Sequence, residues 1–209
     1  IKAMVDTKTY TWDCALLSKS SHKVVANGGY LAPIYGSGGP GPNMSQIPES
    51  MRGEFISGND VYATLMCYRT DTPLGKNPPK SWADFWDVEK FPGTRSYRAN
   101  NVDGALEPAL MADGVPADKV YEVLSTRAGI ERAINKIREL KPHIAVFWES
   151  GAMQAQLMKD GEVDMITGWN GRFDNAKKDG AKVGYTFNQA LLDYDCFAMP
   201  KGAPNKETA

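Results

Sequence analysis

Between residues 144 and 199, segments with the character of β-strands alternate with segments with the character of α-helices. Residues 144–148 and 164–168 are short apolar runs of strand length. Ser150 precedes a helical stretch that stops near Gly161, and a serine hydroxyl can accept a hydrogen bond from a first-turn amide. This alternation predicts an α/β fold with a largely parallel sheet that is covered by helices.

The rest of the chain extends the same pattern. Serine, glycine and proline punctuate apolar runs of alternating strand and helix length. The further predicted strands cover residues 12–17, 61–68, 182–187 and 193–199. The further predicted helices cover residues 18–27, 105–111, 130–140 and 172–180, with a short one capped by Ser81.

Residues 33–59 are rich in glycine, proline and serine, and we interpret them as a long loop. Residues 36–41 within it, Gly-Ser-Gly-Gly-Pro-Gly, satisfy the spacing of a phosphate-binding glycine motif. Pro40 and Pro42 remove the helix start that would present amides to a phosphate. This segment is therefore predicted to be a flexible loop.

Composition excludes several classes of protein. The formal net charge of the 209 residues is -1, which gives no electrostatic reason to expect a nucleic acid partner. No apolar run approaches the roughly 20 residues of a membrane-spanning helix. The 3 cysteines and 2 histidines are widely spaced and form no metal-ligand motif, so no metal and no cofactor is implied.

An aromatic residue and two carboxylates make the strongest chemical signal. Trp169 follows a predicted strand, and Asp193 and Asp195 lie two apart in another, so their side chains point to one face. An indole face attracts a cation by roughly 0.5 to 2 kcal/mol, and a charge-assisted hydrogen bond to a carboxylate contributes about 1.5 to 3 kcal/mol. The pattern predicts a site for a small organic cation. Taken alone, Trp169 could be an ordinary core residue, and the pattern favours solvated edge positions for the two carboxylates.

Four runs resemble the spermidine/putrescine-binding branch of bacterial extracellular solute-binding proteins, over residues 12–206. They are Lys80-Ser-Trp-Ala-Asp-Phe-Trp-Asp-Val-Glu-Lys-Phe-Pro-Gly93, Asp160-Gly-Glu-Val-Asp164, Trp169-Asn-Gly171 and Asp195-Cys-Phe-Ala-Met-Pro200. Their order and spacing, more than any single run, carry the resemblance.

The resemblance implies a two-lobed periplasmic-binding-protein-like fold of type II, truncated here at both ends. Residues 1–68 would be part of lobe one, residues 69–192 an inserted lobe two, and residues 193–209 the return to lobe one. The implied function is a receptor that binds a polyamine or similar cation between the lobes and delivers it to an ABC permease. We expect a monomer, in the periplasm or anchored to lipid outside the cytoplasm, without a nucleic acid partner.

The family's site residues transfer one by one. Trp169 matches a tryptophan that lies against the ligand's alkyl chain, Asp195 an acidic residue that pairs with an ammonium, and Ser18 a serine of lobe one. Asp193 and Ser20 replace aromatic residues of the spermidine receptor, which favours a shorter or more polar cation. Two further candidates follow from position, since Glu149 and Ser150 stand where a strand turns into a helix.

Two other functions remain open at this point. Some proteins of this architecture are enzymes with a nucleophilic cysteine, as thiaminases are, and Cys14 and Cys196 lie in predicted strands. Neither has a histidine neighbour in sequence to lower its pKa. The other alternative is a ligand-sensing subunit of a membrane receptor, which the sequence does not distinguish from a transport receptor.

Overall fold

The computed structural model describes residues 1–34 and 43–206. The glycine motif of residues 36–41, which we interpret as a loop, lies outside the described residues. The strands are β1 (Ala15–Ser18), β2 (Leu31–Ala32), β3 (Arg52–Gly53), β4 (Ile56–Arg69), β5 (Arg95–Arg98), β6 (Ile144–Trp148), β7 (Met165–Trp169) and β8 (Val183–Pro200). The α-helices are α1 (Lys2–Thr7), α2 (Lys19–Asn27), α3 (Trp82–Trp86), α4 (Leu106–Ala112), α5 (Val120–Leu124), α6 (Arg127–Leu140), α7 (Gly151–Asp160) and α8 (Asn170–Lys178).

The chain forms two compact units. Unit 1 comprises residues 1–61 and 193–209, and unit 2 comprises residues 62–192. The strands β4 and β8 contribute residues to both units. The lobe boundaries implied by the family resemblance, residues 1–68, 69–192 and 193–209, stay a prediction.

In unit 1, β1 pairs antiparallel with the last part of β8. Ala15 lies opposite Ala198, and Ser18 lies opposite Asp195. The short strand β2 pairs with the end of β8, where Leu31 lies opposite Pro200. This pairing places Ser18, the residue directly before α2, opposite Asp195 of the neighbouring strand.

In unit 2, the strands lie in the order β4, β7, β5, β6. β5 runs parallel to both β6 and β7, whereas β4 runs antiparallel to β7. The expectation of a largely parallel sheet is therefore wrong in detail, because the sheet is mixed. A buried apolar run such as that in β4 does not specify the direction of its neighbour, so its sequence could not reveal the antiparallel pairing.

Unit 2 has two hydrophobic cores, because alternate residues of its strands point to opposite faces. Leu65 and Ile166 belong to one core, while Met66 and Met165 belong to the other. The Leu65 core includes side chains of α7 and α8, and the Met66 core includes side chains of α3, α4 and α6. Helices thus cover both faces, which confirms the predicted α/β class.

Capping residues and glycines in the sequence correctly predicted the ends of several helices. Ser81 and Asp84 form a reciprocal capping box at α3, and Ser150 caps α7. Gly161 ends α7 with φ 70°, a left-handed conformation that glycine adopts without strain. Residues 183–200 form one strand rather than the two predicted.

Candidate functional site

Three parallel strands of unit 2 end at one edge of the sheet. β5 ends at Arg98, β6 at Trp148 and β7 at Trp169, and Arg98 lies directly opposite Trp148 in the strand register. We call these three residues, with the turns that follow them, the carboxyl edge of unit 2. Ligands of open α/β sheets collect at such edges.

Arg98 lies against both tryptophans of this edge. Its guanidinium carbon is 5.3 Å from the ring centroid of Trp148 and 5.4 Å from that of Trp169. The two ring centroids are 5.5 Å apart, with an interplanar angle of 71°. Each cation–π contact of this kind contributes about 0.5 to 2 kcal/mol of interaction free energy. Arg98 therefore stabilises the arrangement of the two indole rings.

Two hydrogen bonds of Arg98 go to neutral acceptors. Its Nη1 donates to the Asp103 carbonyl at 2.7 Å, and its Nε donates to the Asn100 amide oxygen at 3.5 Å. Burial lowers the pKa of Arg98, and the neighbouring acidic groups, of which Asp103 is the foremost, partly offset this effect. A guanidinium stays protonated in proteins, so the edge carries a half-buried positive charge.

Two helices begin at the same edge. α7 starts after Glu149, and its cap Ser150 accepts a hydrogen bond from the Met153 amide at 3.2 Å. α8 starts directly after Trp169. Helix N-termini carry a partial positive charge, which adds to that of Arg98. The Glu149 carbonyl accepts a hydrogen bond from the Asn100 side chain at 2.7 Å, while the Glu149 side chain is exposed.

Trp169 is held on several sides. Its backbone amide donates to the Gln154 side chain at 3.0 Å, and the Tyr62 ring meets its indole edge-on at a centroid distance of 6.1 Å. A β-carbon added to Gly151 would lie 3.0 Å from the Trp169 ring and 2.9 Å from the guanidinium carbon of Arg172. Glycine at position 151 therefore lets an aromatic ring and a second cation approach the start of α7.

Unit 1 contains the other predicted site residues. Ser18 caps α2 by accepting a hydrogen bond from the Ser21 amide at 3.3 Å. Asp193 and Asp195 are both half-buried in β8. Burial raises the pKa of Asp195, and the carboxylates of Asp60 and Asp193 raise it further. Unit 1 thus presents clustered carboxylates that are not compensated at Asp195, which is the electrostatic condition for attracting a cation.

The structure therefore groups the predicted residues by unit. Glu149, Ser150 and Trp169 come together at the carboxyl edge of unit 2, and Ser18, Asp193 and Asp195 come together in unit 1. Arg98 was missed. It ends the polar strand Arg95–Arg98, which gives no apolar run, and no local signal in the sequence predicts that these four residues form a strand.

Two of the three cysteines are poorly suited to nucleophilic chemistry. Cys67 and Cys196 are fully buried. Burial raises the pKa of Cys196 to about 11 and also raises that of Cys67. A thiolate is the reactive form of cysteine, so neither is activated at neutral pH. In residues 1–34 and 43–206, histidine, cysteine and acidic side chains form no group of three or more that could hold a metal ion.

Residues 1–209 match the family of bacterial extracellular solute-binding proteins. A gamma-aminobutyric acid-binding protein of Pseudomonas aeruginosa is 42% identical over 149 residues, which cover 71% of this chain and 41% of that protein. The crystal structure of MotA from A. tumefaciens B6, in complex with glucopine, is 42% identical with a TM-score of 0.88. That alignment covers 99% of this chain and 62% of MotA, so the chain spans less than two thirds of either relative.

A spermidine/putrescine substrate-binding protein, PotD from Streptococcus pneumoniae, is 17% identical with a TM-score of 0.67. The alignment covers 99% of this chain and 63% of PotD. This degree of similarity shows a shared fold and does not extend to the ligand. The predicted solute-binding family is thus confirmed, and the predicted branch is supported only distantly. The named relatives are binding proteins rather than enzymes. Among the described residues, no helix has both the length and the apolar character needed to cross a membrane.

Proposed function

Because this chain belongs to the family of bacterial extracellular solute-binding proteins, we propose that the whole protein is the extracytoplasmic receptor of an ABC importer. Its ligand in this proposal is a small amino-acid-like molecule that carries both an ammonium and a carboxylate group. Two of the relatives named above bind gamma-aminobutyric acid and glucopine, and the first of these ligands carries both groups. A membrane permease is the implied partner.

The carboxyl edge of unit 2 is the observation that carries this proposal. It combines the half-buried guanidinium of Arg98 with the N-termini of α7 and α8, and the exposed side chain of Arg172 lies beside them. Fixed positive charge beside an apolar ring suits an anionic group joined to an alkyl chain. A polyamine has no anionic group and would gain nothing from these cations.

Unit 1 contains a cluster of carboxylates, Asp60, Asp193 and Asp195. The family resemblance assigns Asp195 to an ammonium group, and the raised pKa of Asp195 reflects burial beside Asp60 and Asp193. A bound ammonium would relieve that repulsion and form a charge-assisted hydrogen bond. Ser18 and Trp169 stay proposed ligand residues by the same resemblance. Asp193 stays one because it lies two residues from Asp195 in the same strand, and Glu149 and Ser150 because they stand at a strand-to-helix turn.

A thermal-shift screen of the full-length protein tests the proposal. The panel contains 4-aminobutyrate, other amino acids, putrescine, spermidine and neutral sugars. A ligand at a hundred times its dissociation constant adds about 2.7 kcal/mol to the free energy of unfolding. We expect 4-aminobutyrate or another amino acid to raise the melting temperature most. A response confined to polyamines or to sugars would contradict the proposed ligand class.

A further inference from the structure

Arg98 changes what Trp169 can bind. An isolated indole face attracts cations, which is why the sequence alone predicts a cationic partner for Trp169. In the structure that indole already contacts a guanidinium, at 5.4 Å from carbon to centroid. A second cation brought to the same ring meets a like charge, and its repulsion offsets the attraction of the ring quadrupole.

The charge of Arg98 is held in place and only partly screened by solvent. Arg98 is half-buried, its guanidinium contacts both Trp148 and Trp169, and its Nη1 is tied to the Asp103 carbonyl at 2.7 Å. Half-buried charges act over several ångströms more strongly than solvated ones.

The acidic groups around Arg98 offset this effect only in part. Glu149 at the same edge has an exposed side chain, where solvent and salt screen its charge. Glu107 is buried, and burial raises the pKa of its carboxyl group. Asp103 is the acidic neighbour that raises the pKa of Arg98 most, and its carbonyl oxygen accepts a hydrogen bond from Arg98 Nη1.

We propose that Arg98 is a specificity-determining residue, which favours a carboxylate near Trp169 and disfavours an ammonium there. The inference rests on the proposed function and deepens it. Trp169 supplies apolar contact to the ligand chain, and Arg98 sets the sign of the charge at that end. The receptor would therefore discriminate between 4-aminobutyrate and 1,4-diaminobutane, two four-carbon molecules that differ at one terminal group.

The test measures the dissociation constants of these two compounds for the full-length protein and for three variants. Arg98→Gln removes the charge, Arg98→Lys keeps it, and Arg127→Gln is the matched control, since the Arg127 side chain is 93% exposed. In the wild type we expect 4-aminobutyrate to bind more tightly than the diamine. Arg98→Gln should reduce this preference by about tenfold or more, Arg98→Lys should retain most of it, and Arg127→Gln should not change it.

If the role of Arg98 is purely structural, Arg98→Gln should weaken binding of both compounds equally. An unchanged preference in Arg98→Gln would overturn this inference and leave the proposed function intact. Failure of the wild type to bind either compound would overturn the proposed function for these ligands and the inference with it. If Arg98→Gln does not fold, the wild-type preference is measured at low and at high salt. A Coulombic preference falls with ionic strength, and a preference that stays constant overturns the proposal.

Discussion

The guanidinium carbon of Arg98 lies 5.4 Å from the ring centroid of Trp169, although 71 positions in the sequence (169 minus 98) separate the two residues. The parallel pairing of β5 with β6 and β7 brings them to one edge. The sequence predicts that the Trp169 ring contacts a cationic ligand, but in the structure this ring already contacts the guanidinium of Arg98. This contact is the reason that we propose an amino acid, rather than a polyamine, as the ligand.

Trp169→Ala should weaken binding of 4-aminobutyrate to the full-length protein. The substitution removes apolar contact with the ligand chain and a ring partner of Trp148, at a cost of about 1 to 3 kcal/mol in binding free energy. Trp169→Phe keeps an aromatic face and should have a smaller effect. Titration calorimetry on both variants checks the order, and equal affinity of Trp169→Ala and the wild type would remove Trp169 from the site.

Asp195→Asn should weaken ligand binding and stabilise the unliganded protein. The folded-state pKa of Asp195 is raised by burial and by Asp60 and Asp193, so the ionised form is disfavoured in the folded state. Stability is therefore lost as pH rises from the unfolded-state pKa, about 3.9, through the raised folded-state value. Asparagine carries no charge and avoids this loss.

Urea unfolding at several pH values tests this expectation. Asp195→Asn should have the higher free energy of unfolding at pH 7, and the difference should vanish below about pH 3.9. Asp193→Asn is the matched comparison, and it should weaken ligand binding less than Asp195→Asn does. A variant that is destabilised at pH 7 would show that Asp195 is a stabilising partner in unit 1 instead.

Gly93→Ala should destabilise the protein. Gly93 has φ +127°, and an added β-carbon would lie 2.6 Å from Asp164 Oδ2. That oxygen accepts a hydrogen bond from the Thr94 amide at 2.7 Å, so it cannot retreat without breaking the contact. We expect a loss of about 1 to 3 kcal/mol. Gly171→Ala is the control, because Gly171 lies in α8 with nothing within 4 Å of an added β-carbon, and it should be neutral or stabilising in urea unfolding.

Cysteine alkylation should be confined to one residue. Cys14 is half-buried, whereas Cys67 and Cys196 are fully buried, and the pKa of Cys196 is raised to about 11. Iodoacetamide at pH 8 should therefore modify Cys14 first in the native protein. Mass spectrometry of the digested protein identifies the site, and rapid native-state modification of Cys196 would reopen the question of cysteine chemistry.

The sequence predicted helices better than it predicted sheet pairing. Ser150 and Gly161 delimit α7 because capping and left-handed ends are local chemistry. β5 was not predicted, since its residues Arg95 and Ser96 are fully buried yet polar. Arg95 is satisfied by the carbonyls of Phe85, Phe91 and Gly93, partners that only the folded chain supplies.

The same limit applies to the candidate site. Trp169 and Ser150 were found because they stand at strand-to-helix turns, which the alternation of elements reveals. Arg98 was not found, because its role depends on tryptophans that lie 50 and 71 positions further along the chain, at 148 and 169. The net charge of a site depends on residues that are far apart in the sequence. A short motif can therefore indicate where a site lies without indicating the sign of its charge.

Titration calorimetry of the full-length protein with 4-aminobutyrate and with 4-aminobutanamide tests the central claim most directly. The two molecules share a chain and an ammonium and differ in that the amide has no negative charge. If the cations at the carboxyl edge of unit 2 recognise a carboxylate, 4-aminobutyrate should bind at least about tenfold more tightly, a difference of about 1.4 kcal/mol. Equal binding of the two, or tighter binding of the amide, would contradict the account.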